Sequence, residues 1–378
     1  MASDTLQKLL CRAHSQFHIE YHGYLSNHLA HDLLSLHALG ASDARLQDMY
    51  HIHEQHLEPR IPNPPNTINH ENWKSWIGKR KYYDGYLQFF DGEIQKYGFP
   101  DTVKKYLPTL LPGLLGSATH PLIHLGYGVE FKECLVVAEG LAYAAHSFLD
   151  LSTLSDVISS DNEQSAPRST ITVSDVLRQI SETTFWSDGV VSHNFQNRIK
   201  QVVQNHSNQL GRAIHELFPS QHTFNANDMI RQLFEASVTL YAARLPRLGQ
   251  LDFFHLHAIT SMHGSRQLLP LLSPFDQFRL LKLQSLALLL IHITQGRSPF
   301  DMDAIRLWRD EHDKSGSMMN WEDIKRLAID CNDEHVCKLI YTLAQIDSVF
   351  ADGNDLWRVA AYMTVSSITN TKGNWHYG

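Results

Sequence analysis

The sequence predicts an all-α protein on three observations. Apolar residues recur about every three or four positions along most of the chain, whereas the alternation typical of strands is scarce. Gly, Ser, Asp and Asn stand at the ends of these periodic stretches, where helices are capped. No internal repeat of fixed period is present. We therefore expect one large multi-helix domain over residues 1–378, packed helix on helix, with a metal or ligand site between helices.

In the first half of the chain, capping residues mark the expected helix ends. Gly40 stands where a C-cap is expected, Ser42 begins the next helix, and Gly98 ends another. The Pro- and Asn-rich segment 58–72 predicts an irregular loop. Helical segments are expected over 6–39, 42–50 and 82–97, in short pieces over 103–115 because of Pro108 and Pro112, and over 117–125 and 134–149.

A break in the helical pattern follows at 159–170. This segment is rich in Ser, Asp, Asn and Gln and contains Pro167, so it predicts an exposed loop. Helical spacing then resumes. The further expected helices are 173–183, 194–217, 227–243, 252–269, 274–294, 301–311, 320–331, 335–345 and 355–366.

Composition and charge argue against several classes of partner. A hydrophobic content of 43% and a charged content of 19% fit an ordinary globular protein. The formal charge of −8 and the pI near 6.3 argue against a nucleic-acid partner, which needs a basic surface. No apolar run approaches the roughly 18 residues of a membrane span, so no membrane partner is expected. Residues 1–5 are polar and acidic, unlike the start of a signal peptide.

The cysteines and the absent motifs narrow the chemistry. Cys11, Cys134, Cys331 and Cys337 follow no pairing or metal motif, and we interpret them as reduced thiols on buried helix faces. This predicts an intracellular, cytoplasmic protein. The sequence has no G-x-G-x-x-G, Walker A, G-x-S-x-G or C-x-x-C motif. Their absence argues against the usual flavin and dinucleotide enzymes and against serine hydrolases.

The chain contains 24 histidines, several of them in apolar helical segments. His335 and Lys338 lie three residues apart and so share one helix face. This pattern is weak by itself, and an ordinary surface helix is the alternative. If Lys338 faces the interior, as its apolar neighbours permit, desolvation makes its amine nucleophilic enough to take up CO2 as a carbamate. Histidines scattered over a long chain then suggest a nitrogen-rich metal centre assembled by the fold.

Two other segments place polar side chains one helical turn apart. His257 and Thr260 are spaced i, i+3, so Thr260 could hydrogen-bond a ligand group; the alternative is a threonine bonded to its own backbone beside a structural histidine. His120 and His124 are spaced i, i+4, as on a two-histidine metal face, although no glutamate base intervenes. Here the alternative is one structural and one exposed histidine. Pro121 suits the first turn of a helix.

The remaining histidine motifs are less informative. Asn27 could cap the following helix or orient His28. The other groups are His14, His18 and His22, at intervals of four residues, and the cluster of His51, His53 and His56. Polar neighbours favour a solvated face for both groups.

Together these motifs resemble the questin oxidase-like family. The similar segments, in chain order, are Asn27–His28 followed by 38–41, His120–Glu130 with 138–142, His257–Ser261 and Asp333–Lys338; residues 357–358 and 360–363 are similar to the family's last helix. The resemblance extends over nearly the whole chain. The four motifs in this order are specific, although each alone is weak.

The resemblance implies a non-haem iron, O2-dependent enzyme. Such an enzyme opens the quinone ring of an anthraquinone, formally by a Baeyer–Villiger-type insertion followed by cleavage. The implied ligands are four histidines and a carboxylated lysine, here His28, His120, His257, His335 and Lys338, with Thr260 bonded to the lysine carbamate and Asn27 in the second layer. His124 does not match a ligand position and is assigned to the pocket. The choice between His120 and His124 stays open.

We therefore expect Fe(II) as cofactor, O2 as co-substrate and a small polycyclic phenol or quinone as substrate. Four imidazoles and one anionic oxygen suit Fe(II) and leave one octahedral position for O2, so the substrate would stack beside the metal. A base such as His31, His124 or Tyr127 would form the phenolate. His146 and His263 are further candidates for the pocket. Monooxygenase and dioxygenase reactions both stay open, as does the oligomeric state.

Three other functions are compatible with the residues. A zinc or other divalent-metal hydrolase could use the same ligands, although such sites more often bridge two metals with additional carboxylates. A helical binding protein with structural histidines would keep its melting temperature after chelation. An oxygenase assisted by NADPH without flavin would have to bind NADPH in an unrecognised way, because no dinucleotide motif is present.

Overall fold

The all-α prediction is confirmed. The computed structural model describes residues 3–154, 157–158, 171–221, 224–351, 353–368 and 375–377. Within these ranges, helices dominate and the sheets are two pairs of two-residue strands. The loop predicted at 159–170 lies outside the described residues. No helix in the described ranges is both long and apolar enough to cross a membrane.

The elements before the 159–170 segment are α1 (Asp4–Gln16), β1 (Glu20–Tyr21), β2 (Leu25–Ser26), α2 (Leu29–Leu39), α3 (Asp43–Glu54), α4 (Tyr83–Tyr97), α5 (Phe99–Leu110), α6 (His120–Phe131) and α7 (Cys134–His146). Those after it are α8 (Val173–Glu182), α9 (Phe195–Leu217), α10 (Ala226–Leu248), β3 (Leu251–Asp252), α11 (Phe253–Leu268), α12 (Pro274–Thr294), α13 (Met302–Lys314), α14 (Trp321–Asp330), α15 (Glu334–Phe350), α16 (Leu356–Ser367) and β4 (Trp375–His376).

Capping residues lie at the starts and ends of several helices, at or next to the predicted boundaries. The backbone of Gly40 is left-handed at φ 99° after α2, and Gly98 has φ 78° after α4. The Ser42 hydroxyl accepts a backbone hydrogen bond at 3.3 Å and caps α3. Asn320 caps α14 in the same way, with a bond of 3.0 Å.

The prediction of a single helix over 6–39 is wrong. α1 ends at Gln16, and the antiparallel hairpin of β1 and β2 precedes α2. His22 and Gly23 are left-handed in the hairpin loop, with φ of 49° and 79°, as tight hairpin loops require. The short apolar stretch between the two helices fits either period, so spacing alone does not reveal the strands.

Several other helix boundaries also differ from the prediction, and two of these differences arise at prolines or left-handed residues. α5 continues through Pro108 to Leu110 before the chain breaks. α6 begins at His120, three residues later than predicted, because residues 117–119 have left-handed backbones.

The chain divides into two compact units. The first comprises Met1–Leu151 with His263–Gln277, and the second comprises Ser152–Met262 with Phe278–Gly378. A single domain over 1–378 stays a prediction.

In the first unit, α4 and α6 pack against α7. Glycines allow α6 and α7 to approach closely: a Cβ at Gly140 would lie 2.6 Å from the Cα of Leu125, and a Cβ at Gly128 would lie 2.7 Å from the backbone nitrogen of Val137. Any larger residue at these positions would push the two helices apart.

In the second unit, α15 packs against α14 and α16, and α10 packs against α13 and α16. Buried hydroxyls of Tyr241 and Thr364 bond at 2.9 Å between α10 and α16. β3 and β4 pair in parallel, with Leu251 opposite Trp375. This pairing brings the indole of Trp375 to the start of α11, next to Phe253.

Candidate metal centre

Two predicted ligands, His28 and His120, face each other in the first unit. Their Nε2 atoms are 2.9 Å apart. The Nδ1 of His28 lies 2.6 Å from the carbonyl oxygen of Ser26, and the Nδ1 of His120 lies 2.5 Å from that of Ser117. A carbonyl oxygen only accepts, so each Nδ1 carries the hydrogen and each Nε2 keeps its lone pair. Two lone pairs at this distance repel each other unless a cation, either a proton or a metal ion, lies between them.

A left-handed turn presents the Ser117 carbonyl to His120. Residues 117–119 have φ of 45°, 51° and 67°. This conformation costs about 1–2 kcal/mol for each such residue and persists only where the surroundings hold it. Close packing holds it at Gly116, where a Cβ would lie 1.8 Å from the carbonyl oxygen of Ser147.

Glu20 holds the same turn from the hairpin. Its Oε1 accepts a hydrogen bond from the Ser117 hydroxyl at 2.7 Å, and its Oε2 contacts His146 Nε2 at 2.8 Å and the Arg80 guanidinium. Burial alone would raise the pKa of Glu20, but His146, Arg80 and Ser117 together lower it to about 2. The carboxyl group is therefore ionised at neutral pH. His146, a predicted pocket residue, lies against Glu20 and the carbonyl oxygen of Arg80.

His257 and His335 lie together in the second unit, with ring centroids 5.3 Å apart. The Nδ1 of His257 is 2.7 Å from the carbonyl oxygen of Phe253, one turn earlier in α11. The Nδ1 of His335 is 3.0 Å from Oδ1 of Asp333. All four predicted imidazole ligands therefore direct Nδ1 at an acceptor. This arrangement fixes the tautomer in which Nε2 can bind a metal.

Asp333 both orients His335 and caps α15. Its Oδ1 accepts the backbone N–H of His335 at 2.9 Å, and its Oδ2 accepts the indole N–H of Trp375 at 2.8 Å. Burial would raise the pKa of Asp333, but the bonds and charge of His335 and the bond from Trp375 hold it well below its usual range. An anion therefore stays beside the His335 ring.

Lys338 is fully buried on α15, one turn after His335. This interior position is the one that carbamate formation needs. Thr260 donates its hydroxyl within α11, to the carbonyl oxygens of Leu256 at 3.2 Å and His257 at 3.4 Å. The structure thus shows the backbone-bonded alternative for Thr260, and its bond to a lysine carbamate stays a prediction.

The predicted ligands divide between the two units. His28 and His120 belong to the first, and His257, His335 and Lys338 belong to the second. Asn27 fixes the backbone around His28, because its side chain accepts the N–H of Leu29 at 2.9 Å and donates to the carbonyl oxygen of His18 at 3.1 Å.

The first unit also brings several predicted pocket residues together. The buried ring of His31 lies 5.1 Å from that of His28 and 5.9 Å from that of Tyr127, between ring centroids. The ring of His263 lies 5.8 Å from Tyr127, and its Nε2 is 2.7 Å from a carboxylate oxygen of Glu130. These residues form a continuous run of rings that begins at a predicted ligand.

His124 is held differently from His120. Its Nε2 lies 2.7 Å from Glu139 Oε2, whereas the Nε2 of His120 faces His28. The two histidines are thus oriented through opposite ring nitrogens, and the choice of His120 over His124 as the ligand stays a prediction. No motif singled out Glu139, except that it falls within the family-like segment 138–142.

Two histidines that the sequence places on solvated faces are in fact buried. His14 pairs with carboxylates on α4 and α7, and the Nε2 of His53 lies 2.8 Å from Asp32 on α2. Each partner comes from a distant part of the chain, so helical spacing cannot reveal it. His22 and His51 are exposed as predicted, with side-chain exposures of 66% and 62%.

The cysteine prediction holds in part. All four cysteines are free thiols, but only Cys331 and Cys337 are buried. Cys11 and Cys134 are exposed, Cys11 on the outer face of α1 and Cys134 at the first position of α7.

A helical fold with buried imidazoles, each oriented by an acceptor at Nδ1, defines an all-α protein with a candidate metal centre. Family comparison makes the assignment specific. The family model described as Questin oxidase-like matches residues 25–343, and the chain belongs to this family. The resemblance inferred from the motifs is thus confirmed.

Curated relatives support an oxidative reaction. The chain is 26% identical to a Baeyer–Villiger oxidase of Pestalotiopsis microspora, over 96% of this chain and 88% of that protein. It is 25% identical to a questin oxidase of Aspergillus fumigatus, over 93% and 83% of the two chains. It is also 25% identical to a Baeyer–Villiger monooxygenase of a Cryptosporiopsis species, over 97% and 90%. The protein is accordingly an oxidative enzyme.

Proposed function

We propose that this protein is an O2-dependent oxidoreductase that oxidises or cleaves a ring of a polycyclic, anthraquinone-like substrate at a mononuclear non-haem iron. The proposed ligands are His28, His120, His257, His335 and Lys338, the last as a CO2-derived carbamate. Membership of the family and the names of the relatives, oxidases and Baeyer–Villiger oxidases, support the oxidative reaction.

The His28–His120 pair carries the metal part of the proposal. Two Nε2 lone pairs lie 2.9 Å apart, and each ring is fixed from behind by a backbone carbonyl. The same orientation of Nδ1 recurs at His257 and His335. Imidazole nitrogen is a donor that suits Fe(II), so these residues fit the metal that the family implies.

Bound iron would supply the one-electron chemistry that allows O2 to react with a closed-shell aromatic molecule. The residues of the chain hold and orient the ligands. Ser26 and Ser117 fix the ring planes of the first pair through their carbonyl oxygens. Asp333 accepts the Nδ1 hydrogen of His335 and increases the basicity of that ligand.

Burial of Lys338 supports the carbamate. Keeping a charged ammonium group in a protein interior costs several kcal/mol, so burial favours the neutral amine. Attack of the neutral amine on CO2 forms an N–C bond, releases a proton and turns the side chain into an anion with two oxygen donors. Such an anion suits a divalent cation.

The substrate class follows from the family resemblance, which implies an anthraquinone. Ionisation of a phenol on such a molecule would raise the electron density of its ring before it reacts with O2. His31, His124 and Tyr127 are the candidate bases in the first unit. NADPH is the candidate reductant if a monooxygenase reaction applies, and a rate that does not change when NADPH is added would favour a dioxygenase reaction.

Metal analysis of protein purified without air, combined with O2 uptake, tests the reaction. We expect about one iron per chain and consumption of O2 when 1,3,8-trihydroxyanthraquinone is added. The zinc-loaded protein should not consume O2. Protein that retains zinc, holds no iron and consumes no O2 would instead indicate the hydrolase.

Alanine variants from each unit test the ligand set. His28→Ala in the first unit and His335→Ala in the second should each remove nearly all the iron, because loss of one ligand weakens the whole site. His22→Ala and His51→Ala are matched controls at exposed histidines and should retain it. Full iron content in His28→Ala together with none in His335→Ala would show that His28 is not a ligand of the ion that His335 binds.

A further inference from the structure

We propose that His124 is the general base that ionises a phenol of the substrate, and that Glu139 is its positioning residue. The inference rests on the proposed function, because it concerns the substrate of that reaction. In the step, the phenol O–H bond breaks and an N–H bond forms at Nδ1 of His124. The products are a phenolate and an imidazolium ion, and no electron is transferred.

The contacts of His124 are those of a carboxylate-oriented base. Its Nε2 lies 2.7 Å from Glu139 Oε2. An ionised carboxyl group only accepts, so Nε2 carries the hydrogen and the basic lone pair lies on Nδ1. His124 is 2% exposed, and among the described residues its Nδ1 has no hydrogen-bond partner. A buried unpaired nitrogen is unfavourable, and a substrate hydroxyl would satisfy it.

His14 keeps Glu139 ionised. Its Nδ1 is 2.8 Å from Glu139 Oε1, and its Nε2 is 3.2 Å from Asp91 Oδ2. Burial would lower the pKa of His14, but the bonds and charges of Asp91 and Glu139 raise it to about 10. Burial would likewise raise the pKa of Glu139, but the bonds from His124 and His14 lower it to about 2. Glu139 is thus an anion held between two imidazoles.

The charge beside His124 stabilises the imidazolium that forms when the ring takes the phenol proton. Glu139 is the ionised carboxyl group at Nε2, and His14 holds it from the other side. The resulting imidazolium lies against an ionised carboxyl group inside the protein, where their attraction is only weakly screened.

Other polar side chains also lie close to His124. The ring of His31 on α2 lies 5.6 Å away between centroids. A small cavity beside His124 and Glu139 is also lined by Asn27 and Tyr83. Burial holds the pKa of Tyr83 well above its usual range, so that phenol stays neutral.

Two measurements on metal-free protein test whether His124 is the general base. Imidazole 15N NMR reports the tautomer of His124, with its signals identified by their loss in His124→Gln. We expect a hydrogen on Nε2 and none on Nδ1. The absorbance of bound 1,3,8-trihydroxyanthraquinone reports phenol ionisation, which should occur at least about one pH unit lower than in free solution.

The variants are His124→Gln and Glu139→Gln, with Glu93→Gln as matched control. Glu93 is also a buried carboxyl group of the first unit, but it contacts Lys105 and Tyr106 instead. The first two variants should abolish the shift in phenol ionisation and lower kcat by about 10²–10⁴-fold, yet keep their iron. The control should behave as wild type. If His124→Gln does not fold, the phenol ionisation of the dye bound to Glu139→Gln still decides.

Three outcomes would overturn the assignment of His124 as the general base. One is equal ionisation of the bound dye in wild type and His124→Gln; another is a hydrogen on Nδ1 of His124. The third is loss of iron from His124→Gln, which would make His124 a ligand. Wild-type protein that binds neither iron nor the dye would refute the proposed function itself, and the base with it.

Discussion

Glu20 and Ser26 are cross-strand partners in the β1–β2 hairpin, and through them one short hairpin orients both imidazoles of the His28–His120 pair. Ser26 supplies the carbonyl oxygen that receives the Nδ1 hydrogen of His28. Glu20 holds Ser117, whose carbonyl oxygen receives the Nδ1 hydrogen of His120. Any shift of the hairpin would therefore disturb both rings together.

This relationship predicts that Glu20→Gln weakens metal binding by about 10–100-fold, the usual effect of losing a group that orients a ligand. Titration of metal-free protein with Co(II), followed by absorbance, measures it. Glu58→Gln is the control, because Glu58 bonds the backbone N–H of His22 at 2.7 Å in the same hairpin. Equal losses of Co(II) affinity in the two variants would mean that metal binding depends on the hairpin as a whole and not on the contact between Glu20 and Ser117.

The left-handed turn before His120 predicts an unusual response to glycine. Ala118 has φ 51°, so Ala118→Gly should relieve strain and stabilise the protein by about 0.5–1 kcal/mol after the entropy cost of glycine. Ala213→Gly, within α9, should instead destabilise it by about 1 kcal/mol. Thermal unfolding of the metal-free variants measures both. Destabilisation of similar size in the two would show that the turn is unstrained.

Local signals explain why most helices could be predicted from the sequence. The segment 274–294 has the observed bounds of α12, and the capping residues Gly40, Ser42 and Asn320 lie where the helices end or begin. His335 and Lys338 likewise lie on one turn of α15, because helical geometry fixes the relative position of residues spaced i, i+3.

Long-range pairing explains what the sequence did not reveal. Glu139 meets His14 across 125 residues, and Ser117 meets Glu20 across 97. Neither spacing repeats and neither pair has a motif, so only the fold brings the partners together. The left-handed backbone at 117–119 is also invisible to propensity, because its residues do not favour positive φ and tertiary contacts impose it.

The proposed carbamate predicts that Lys338→Ala loses iron and recovers part of it with added propionate, whose carboxylate can occupy the vacated space. Metal analysis after dialysis against propionate measures the recovery, and 13C NMR after exposure to 13CO2 should show a carbamate signal in wild type but not in Lys338→Ala. Lys282→Ala is the control, because Lys282 is also fully buried but bonds the carbonyl oxygen of Val157 at 3.0 Å. Lys338→Met with full iron content would exclude the lysine as a ligand.

The His14–Glu139 pair predicts a defined dependence of stability on pH. The pKa of Glu139 is lowered from 4.5 to about 2, so its contribution is present above about pH 4.5 and is lost as the pH falls through 2. The pKa of His14 is raised from 6.5 to about 10, so its contribution is complete below about pH 6.5 and is lost as the pH rises through 10. Both contributions are complete only between about pH 4.5 and 6.5.

Glu139→Gln should lower the free energy of unfolding in this window by about 3 kcal/mol, since it leaves a buried imidazolium with Asp91 alone. It should also make the alkaline decline shallower. Melting temperatures measured by circular dichroism from acid to alkaline pH test this, with Glu93→Gln as control; an alkaline decline as steep in Glu139→Gln as in wild type would show that the pair does not set it.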